Sequence, residues 1–196
     1  MDNMMILLLA AGASRRMGKT KQLLPWNETS LIEHQLKTLL TTGLKVHVVL
    51  GAFAKEIQPQ IEDLPITISM NPNWEKGMGN SLAFGVQQII EKNKHIDGIL
   101  IALVDQPLLT TAHFKKLINT FTPGQNQIIC SKSDEGWSGP PIIFDSFYVN
   151  ELMQQDGDDG AKNLTKKYTD VVTFVHLGVF MEDADTPEAL RELRKY

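Results

Sequence analysis

Hydrophobic and polar positions along the chain fall into two kinds of pattern, one typical of strands and one typical of helices. Residues from Met4 to Ala10 are almost all apolar, which predicts a strand that is buried on both faces of a parallel sheet. Ser30 and Glu33 then form the signature of a helix start, and Gly43 marks the end of that helix. Its apolar stripe consists of Ile32, Leu36, Leu39 and Leu40.

Strand-like and helix-like segments continue to alternate to the end of the chain. Strands are predicted at residues 45–50, 66–70, 98–104, 127–131, 141–144 and 171–176. Helices are predicted at residues 54–62, 78–91 and 112–121, and after Thr186, which precedes a proline in the first turn. The polar segment 132–139 contains glycine and predicts a hairpin or a flexible loop.

This order of elements predicts an α/β fold, a three-layer, Rossmann-like arrangement with a mostly parallel central sheet. No repeat or linker divides the sequence, so residues 1–196 are predicted to form a single domain. Ligands of such sheets bind outside the carboxyl ends of the strands. We therefore expect the loops that follow Ala10, Met70, Val104 and Phe144 to share one rim of the sheet.

The composition narrows the class of protein. Apolar residues make up 42% of the chain and charged residues 21%, which is ordinary for a globular protein with a sizeable core. The net charge of −4 gives no indication of a nucleic-acid surface, and the apolar run 4–11 is too short to span a bilayer. The single cysteine, Cys130, lies in an apolar stretch and fits a reducing compartment. We expect a cytoplasmic protein without a signal peptide that binds neither nucleic acid nor membrane.

The loop after the first strand carries the clearest candidate chemistry. Residues 9–25 read LAAGASRRMGKTKQLLP. Gly12 and Gly18 allow tight turns and a close approach of backbone amides to phosphate oxygens. Arg16 offers a planar guanidinium for phosphate and Lys21 a compact positive charge. A polar, basic segment directly after a buried strand therefore predicts phosphate binding.

Two familiar phosphate loops do not fit this segment. Five residues separate Gly12 from Gly18, whereas a Walker loop requires four. A dinucleotide fingerprint fails because Ala13 and Ser14 occupy positions that it needs as glycine.

The loop instead satisfies the pattern L-A-A-G-x-S-x-R-M-G-x-x-K-x-L-L-P, and so resembles the sugar-nucleotide and molybdenum cofactor nucleotidyltransferases. Further segments resemble the molybdenum cofactor cytidylyltransferases across nearly the whole chain. These are Asn71-Pro72-x-Trp74-x-x-Gly77-Met78-x-x-Ser81, Asp105-Gln106-Pro107, Gly139-Pro140-Pro141, Gly157-Asp158-x-Gly160-Ala161-Lys162 and Asp183-x-Asp185-Thr186-Pro187-Glu188. The resemblance implies a nucleotidyltransferase domain that transfers CMP from CTP to molybdopterin and releases pyrophosphate.

The same resemblance implies a site. Its catalytic residues would be Arg16, Lys21 and Asp105. The nucleotide would contact Ala10, Ala11, Gly12, Ala13, Ser14, Arg16, Lys21, Asn71, Ser81 and Gln106. Mg²⁺ would be held by Asp105 and Asp185, with Asp183 a near-equal competitor of Asp185. A turn residue at Asp105 and a helix cap at Asp183 or Asp185 are the structural alternatives. Trp74 would either stack on a ring of the ligand or pack beneath its loop.

Two departures from the family pattern fall on the acceptor side of the predicted site. Pro140 fills the middle of the G-x-P element, and Lys162 replaces the usual arginine and its two-pronged phosphate contact. Ala11 favours CTP over GTP, since guanylyl relatives commonly carry glycine there. Three alternatives stay open: a guanylyltransferase, a transferase acting on another phosphorylated acceptor, or a non-catalytic nucleotide-binding accessory protein. The accessory protein would deliver cofactor to a molybdoenzyme, with which the chain would make transient contact.

Overall fold

A seven-stranded sheet forms the centre of the protein in a computed structural model, which describes residues 3–14 and 17–196. Its strands are β1 (Met4–Ala10), β4 (Lys45–Leu50), β5 (Thr67–Met70), β6 (Gly98–Leu103), β7 (Ile128–Lys132), β8 (Ser138–Asp145) and β9 (Val172–His176). They lie in the order β5-β4-β1-β6-β8-β7-β9. A separate two-stranded hairpin contains β2 (Pro25–Trp26) and β3 (Thr29–Ser30).

Helices lie between these strands, as the alternating pattern predicts. They are α1 (Leu31–Leu40), α2 (Ala54–Ile61), α3 (Met78–Lys92), α4 (Thr111–Thr120), α5 (Val149–Leu152), α6 (Lys162–Lys167) and α7 (Pro187–Leu193). Every predicted helix and strand is present, while the β2–β3 hairpin, α5 and α6 were not predicted. Over residues 3–14 and 17–196, no helix combines the length and the apolar character needed to cross a bilayer.

The sheet is mostly parallel, as predicted. Strand β1 is buried along its whole length and pairs in parallel with β4 on one side and β6 on the other. Strands β4 and β5 are parallel to each other, as are β7 and β9. A strand with two covered faces gains from an apolar side chain at every position, which explains the continuous apolar run of β1.

Strand β8 is the exception, because it runs antiparallel to both of its neighbours. The segment before it closes a tight hairpin in which the Ser133 amide donates to the Trp137 carbonyl at 2.9 Å. So short a connection joins antiparallel strands only, since a parallel crossover needs a dozen residues or more. The hairpin predicted as one possibility for 132–139 is confirmed. The expectation that the loop after Phe144 shares the rim of the Ala10 loop is wrong, because Asp145 pairs with Gly98 at the opposite end of the sheet.

Helices cover both faces of the sheet and complete the three predicted layers. Alternate residues of β1 point to opposite faces, so Ile6 and Leu8 pack in one core and Leu7 in the other. Helices α1, α2 and α4 cover the first face, and α3, α5 and α6 cover the second. Burial of both faces of the central strands β1, β4 and β6 leaves the ends of these strands as the places where polar side chains reach solvent.

Candidate active site

A cleft of about 550 Å³ opens at the carboxyl ends of β1 and β6. The loop after β1 forms one wall and the start of α3 forms part of the other. Polar and charged side chains lie between them. Within the described ranges, the charged residues that line the cleft are Lys21, Glu75, Asp105, Asp158, Asp183 and Asp185.

Lys21 lies between two of these carboxylates. A short 3-10 turn, Lys21–Leu23, carries it back over the end of β1. Its Nζ lies 2.6 Å from Oδ2 of Asp105 and 2.7 Å from Oδ1 of Asp185. Burial lowers the pKa of Lys21, but the charges and hydrogen bonds of Asp105 and Asp185 outweigh burial and raise the pKa above its ordinary value. The ammonium group is therefore charged throughout the physiological range.

The segment that carries Asp183 and Asp185 is tied to the same place by its backbone. The amide of Ala184 donates to the carbonyl of Asp105 at 2.7 Å. Thr186 caps α7 by accepting a hydrogen bond from the Ala189 amide at 3.1 Å, as predicted. The apolar face of α7 packs with Trp26 and Met17 at the end of the glycine-rich loop. Residues far apart in the sequence are thereby held around one point.

Two carboxylate oxygens of this cluster are buried without a hydrogen-bond partner in the described part of the chain, Oδ1 of Asp105 and Oδ1 of Asp183. Burial and then the charges of Asp105 and Asp185 raise the pKa of Asp183 to about 7. Unpartnered carboxylate oxygens suit a hard divalent cation. Among residues 3–14 and 17–196, however, no three His, Cys, Asp or Glu side chains form a metal site by themselves. A cation here would thus take further ligands from phosphate or water.

The glycine-rich loop lines the cleft with Ala10, Ala11, Gly12, Ala13 and Ser14, all predicted to contact a nucleotide. A methyl group added at Gly12 would meet no atom of the described residues within 4 Å. Ser14 and Gly18 have positive φ angles of 52° and 63°, which turn the backbone sharply. Arg16, predicted to grip phosphate, lies outside the described residues.

Asn71 and Ser81 form a linked pair on the opposite wall. The Nδ2 group of Asn71 donates to Oγ of Ser81 at 3.1 Å and to Oδ1 of Asn80 at 3.1 Å. Asn71 is 2% exposed and lies behind the cleft surface, whereas Ser81 lines the cleft. The Gly79 amide at the start of α3 donates to the Gly157 carbonyl at 2.7 Å, so this amide is not available to a ligand.

The loop 156–161 packs against the start of α3 and brings Asp158 to the mouth of the cleft. Gly77 has a φ of 107°, and a Cβ atom there would lie 2.4 Å from the Gly157 carbonyl oxygen. A Cβ at Gly79 would lie 2.4 Å from the Asp156 carbonyl oxygen. Both positions need glycine because another backbone passes at contact distance. The start of α3 and the loop 156–161 therefore form one structural unit.

Gln106 lies beneath the rim at 1% exposure. Its Nε2 donates to the Pro140 carbonyl at 3.0 Å and to the Met181 carbonyl at 3.1 Å. These two hydrogen bonds connect the start of β8 to the segment that leads to Asp183. Its contact with a nucleotide stays a prediction.

Residues 6–171 match the family model of the MobA-like NTP transferase domain. The chain belongs to this family. The family predicted from the glycine-rich loop is thus confirmed, and so is the Rossmann-like α/β fold of its members.

Relatives of this MobA-like NTP transferase carry names from more than one class of activity. Nicotine blue oxidoreductase of Paenarthrobacter nicotinovorans is 31% identical over 95% of this chain and 94% of its own length. Molybdenum cofactor cytidylyltransferase of Escherichia coli is 24% identical over 93% of this chain and 91% of its own. A protein from Mycobacterium tuberculosis H37Rv has the same fold, with a TM-score of 0.87 at 24% identity over 99% and 98% of the two chains. That protein has also been crystallised as a manganese complex.

Two side chains of the MobA-like NTP transferase complete the cleft. Trp74 lines it and also packs partly buried against the core beneath α3, so both predicted contacts are available to it. Gln22 was missed by sequence reasoning, which treated it as the variable position between Lys21 and Leu23. Its amide is buried under the loop. The sequence signal that could have indicated this role is a glutamine directly after the lysine of the motif.

Proposed function

We propose that this protein transfers CMP from CTP to the terminal phosphate of molybdopterin and releases pyrophosphate. The observation that carries the proposal is the position of Lys21 between Asp105 and Asp185, on the floor of a cleft walled by the glycine-rich loop. The relationship to the Escherichia coli cytidylyltransferase supports the choice of donor and acceptor. The single free cysteine, Cys130, is buried and agrees with our proposal of a cytoplasmic protein.

The loop from Ala10 to Ser14 is proposed to surround the triphosphate, with Arg16 on the β- and γ-phosphates. In the described part of the chain, nothing lies within 4 Å of a Cβ placed at Gly12, which supports a close approach of phosphate to the backbone there. Ser81 and the Asn71 behind it would bound the nucleoside side of the cleft, with Gln106 beneath the rim. Asp158 would bound the acceptor side.

The reaction needs no covalent enzyme intermediate. An oxygen of the acceptor phosphate forms a bond to the α-phosphorus of CTP, and the bond from that phosphorus to the bridging oxygen of the β-phosphate breaks. The acceptor phosphate is already ionised, so no general base is required. Lys21 neutralises charge near the α-phosphate, and positioning with charge neutralisation supplies most of the rate.

Mg²⁺ is proposed as the metal ion, held by Asp105 together with Asp185 or Asp183. The unpartnered oxygens of Asp105 and Asp183 support a cation at this point. Bound there with phosphate and water as its other ligands, the ion would neutralise the charge of the triphosphate. The manganese complex of the mycobacterial relative agrees with a divalent metal ion in this fold.

One assay of pyrophosphate release tests this proposal and distinguishes it from the alternative activities. Purified protein is mixed with Mg²⁺, molybdopterin and either CTP or GTP, and pyrophosphate release is followed. We expect release with CTP that depends on molybdopterin. Pyrophosphate release with GTP but not with CTP would identify a guanylyltransferase. Release that depends on another phosphorylated acceptor would reassign the acceptor. Tight nucleotide binding without release from any acceptor would support a non-catalytic accessory protein that contacts a molybdoenzyme.

A further inference from the structure

One buried side chain holds the first half of the glycine-rich loop. Gln22 is 2% exposed, and its Nε2 donates to the carbonyls of Ala10 and Gly12, each at 3.0 Å. Its Oε1 accepts a hydrogen bond from Oγ of Ser14 at 3.2 Å. Each polar atom of the amide is therefore bonded to the loop itself. We infer that Gln22 is the positioning residue that fixes the loop in its phosphate-binding shape.

The direction of these bonds sets the direction of the loop amides. In a trans peptide unit the carbonyl and the following N–H point to opposite sides. Because the Gly12 carbonyl points to Gln22, the Ala13 N–H points away from Gln22. Without the Gln22 amide, two carbonyls beneath the loop would lose their partner, and either could turn toward the phosphates and repel them.

Gln22 also couples the loop to Lys21. Both residues belong to the turn Lys21–Leu23, and their side chains diverge, one to the loop and the other to Asp105. Ser14 closes the connection, since its Oγ donates to Gln22 and accepts from the Lys21 amide at 3.2 Å. The hydroxyl uses its single proton on Gln22 and a lone pair on Lys21. The same hydrogen bonds therefore fix the shape of the loop and the position of the Lys21 backbone, from which its side chain extends to Asp105.

The inference rests on the proposed function, so the test measures nucleotide binding and turnover separately. Gln22→Met keeps the length of the side chain and removes its hydrogen bonds, and Gln60→Leu changes an exposed glutamine as the control. The dissociation constant for CTP with Mg²⁺ is measured by calorimetry, and that for CMP by competition against CTP. We expect Gln22→Met to weaken CTP binding about tenfold or more. CMP binding should weaken by less than about threefold, because CMP lacks the β- and γ-phosphates, two of the three phosphates that the loop is proposed to surround.

Ser14→Ala provides a second variant that keeps the bonds of Gln22 to the two carbonyls. It should weaken CTP binding less than Gln22→Met does, and the effects of the two substitutions together should be less than additive because they remove the same hydrogen bond.

Equal weakening of CTP and CMP binding, or unchanged CTP binding in Gln22→Met, would overturn the positioning role. If Gln22→Met does not fold, unchanged CTP binding in Ser14→Ala would overturn it. If the unmodified protein binds CTP without turnover, the proposed reaction fails and the role of Gln22 in binding stands. Failure of the unmodified protein to bind any nucleoside triphosphate would overturn both.

Discussion

Lys21 and Asp105 lie 84 positions apart in the sequence, and Nζ of the lysine is 2.6 Å from Oδ2 of the aspartate. Their contact brings the loop after β1 against the loop after β6, two adjacent parallel strands. Asp185 approaches the same ammonium group from the C-terminal segment at 2.7 Å. Among residues 3–14 and 17–196, the cleft thus collects Lys21 and several carboxylates, a set of charges suited to a metal-bound polyphosphate.

Replacing Lys21 by alanine is expected to reduce kcat for pyrophosphate release about 100- to 1,000-fold. The reason is the loss of the charge that offsets the developing charge at the α-phosphate. Lys19→Ala is the matched control, because Lys19 is an exposed lysine in the same segment. Circular dichroism would verify that both variants fold. Near-normal release by Lys21→Ala would remove this residue from the mechanism.

Asp105→Asn is expected to abolish the metal-dependent part of the stabilisation by CTP. A ligand at about 100 times its dissociation constant stabilises a protein by about 2.7 kcal/mol, which raises Tm by about 5–10 °C here. In the unmodified protein this shift should shrink when EDTA removes Mg²⁺. In Asp105→Asn the shift should be small with or without metal.

Asp170→Asn, at an exposed position, should behave like the unmodified protein. The metal assignment would be refuted by a Mg²⁺-dependent shift that survives in Asp105→Asn.

Much of this site was predictable because it depends on strand ends and on one local motif. The apolar run of β1 predicted a central parallel strand, and the rule for parallel sheets then placed Lys21 and Asp105 on one rim. The direction of β8 was not predicted from its apolar pattern, because a buried strand is equally apolar in either direction. The short turn before it did contain that information.

The burial of Gln22 and of Gln106 was beyond sequence reasoning for a different reason. A glutamine in a loop is usually exposed, and burial becomes favourable when the fold supplies carbonyl partners. Gln22 finds them in Ala10 and Gly12, and Gln106 finds them in Pro140 and Met181. The partners of Gln106 lie far from it in the sequence, so no local sequence pattern predicts them.

Two glycines should respond in opposite ways to alanine. Gly12→Ala should leave Tm within about 1 °C, since the methyl group meets no atom within 4 Å among the residues that the structure describes. It should weaken CTP binding, because the methyl group would occupy the approach of phosphate. Gly77→Ala should lower the free energy of unfolding by about 2 kcal/mol or more, because its φ is 107° and its Cβ would lie 2.4 Å from the Gly157 carbonyl oxygen. Urea unfolding and calorimetry check both. Unaltered CTP affinity in Gly12→Ala would argue against phosphate at this loop.

The free energy of unfolding should decrease in acid because of His47, a buried histidine that lies outside the cleft. This side chain is 1% exposed and contacts Oγ of Ser69 at 3.0 Å. Burial, aided by the charge of Lys92, lowers the pKa of His47 to about 4 from 6.5. Between pH 6.5 and 4 the unfolded chain therefore binds a proton that the folded protein does not, and stability decreases as pH falls.

Relative to His47→Gln, which has no such proton, the loss should reach roughly 2–3 kcal/mol near pH 4.5. The measurement is urea unfolding of both proteins across this range. Stability curves for the two proteins that stay parallel from pH 7 to pH 4.5 would show that His47 titrates normally.

The most direct test of the central claim is a crystal structure with CTP and Mg²⁺. The triphosphate is predicted to lie along the loop from Ala11 to Lys21, with the metal ion on Asp105 and the α-phosphate within reach of the Lys21 ammonium. A triphosphate bound elsewhere on the protein, with Asp105 free of metal and Lys21 remote from phosphate, would contradict the account.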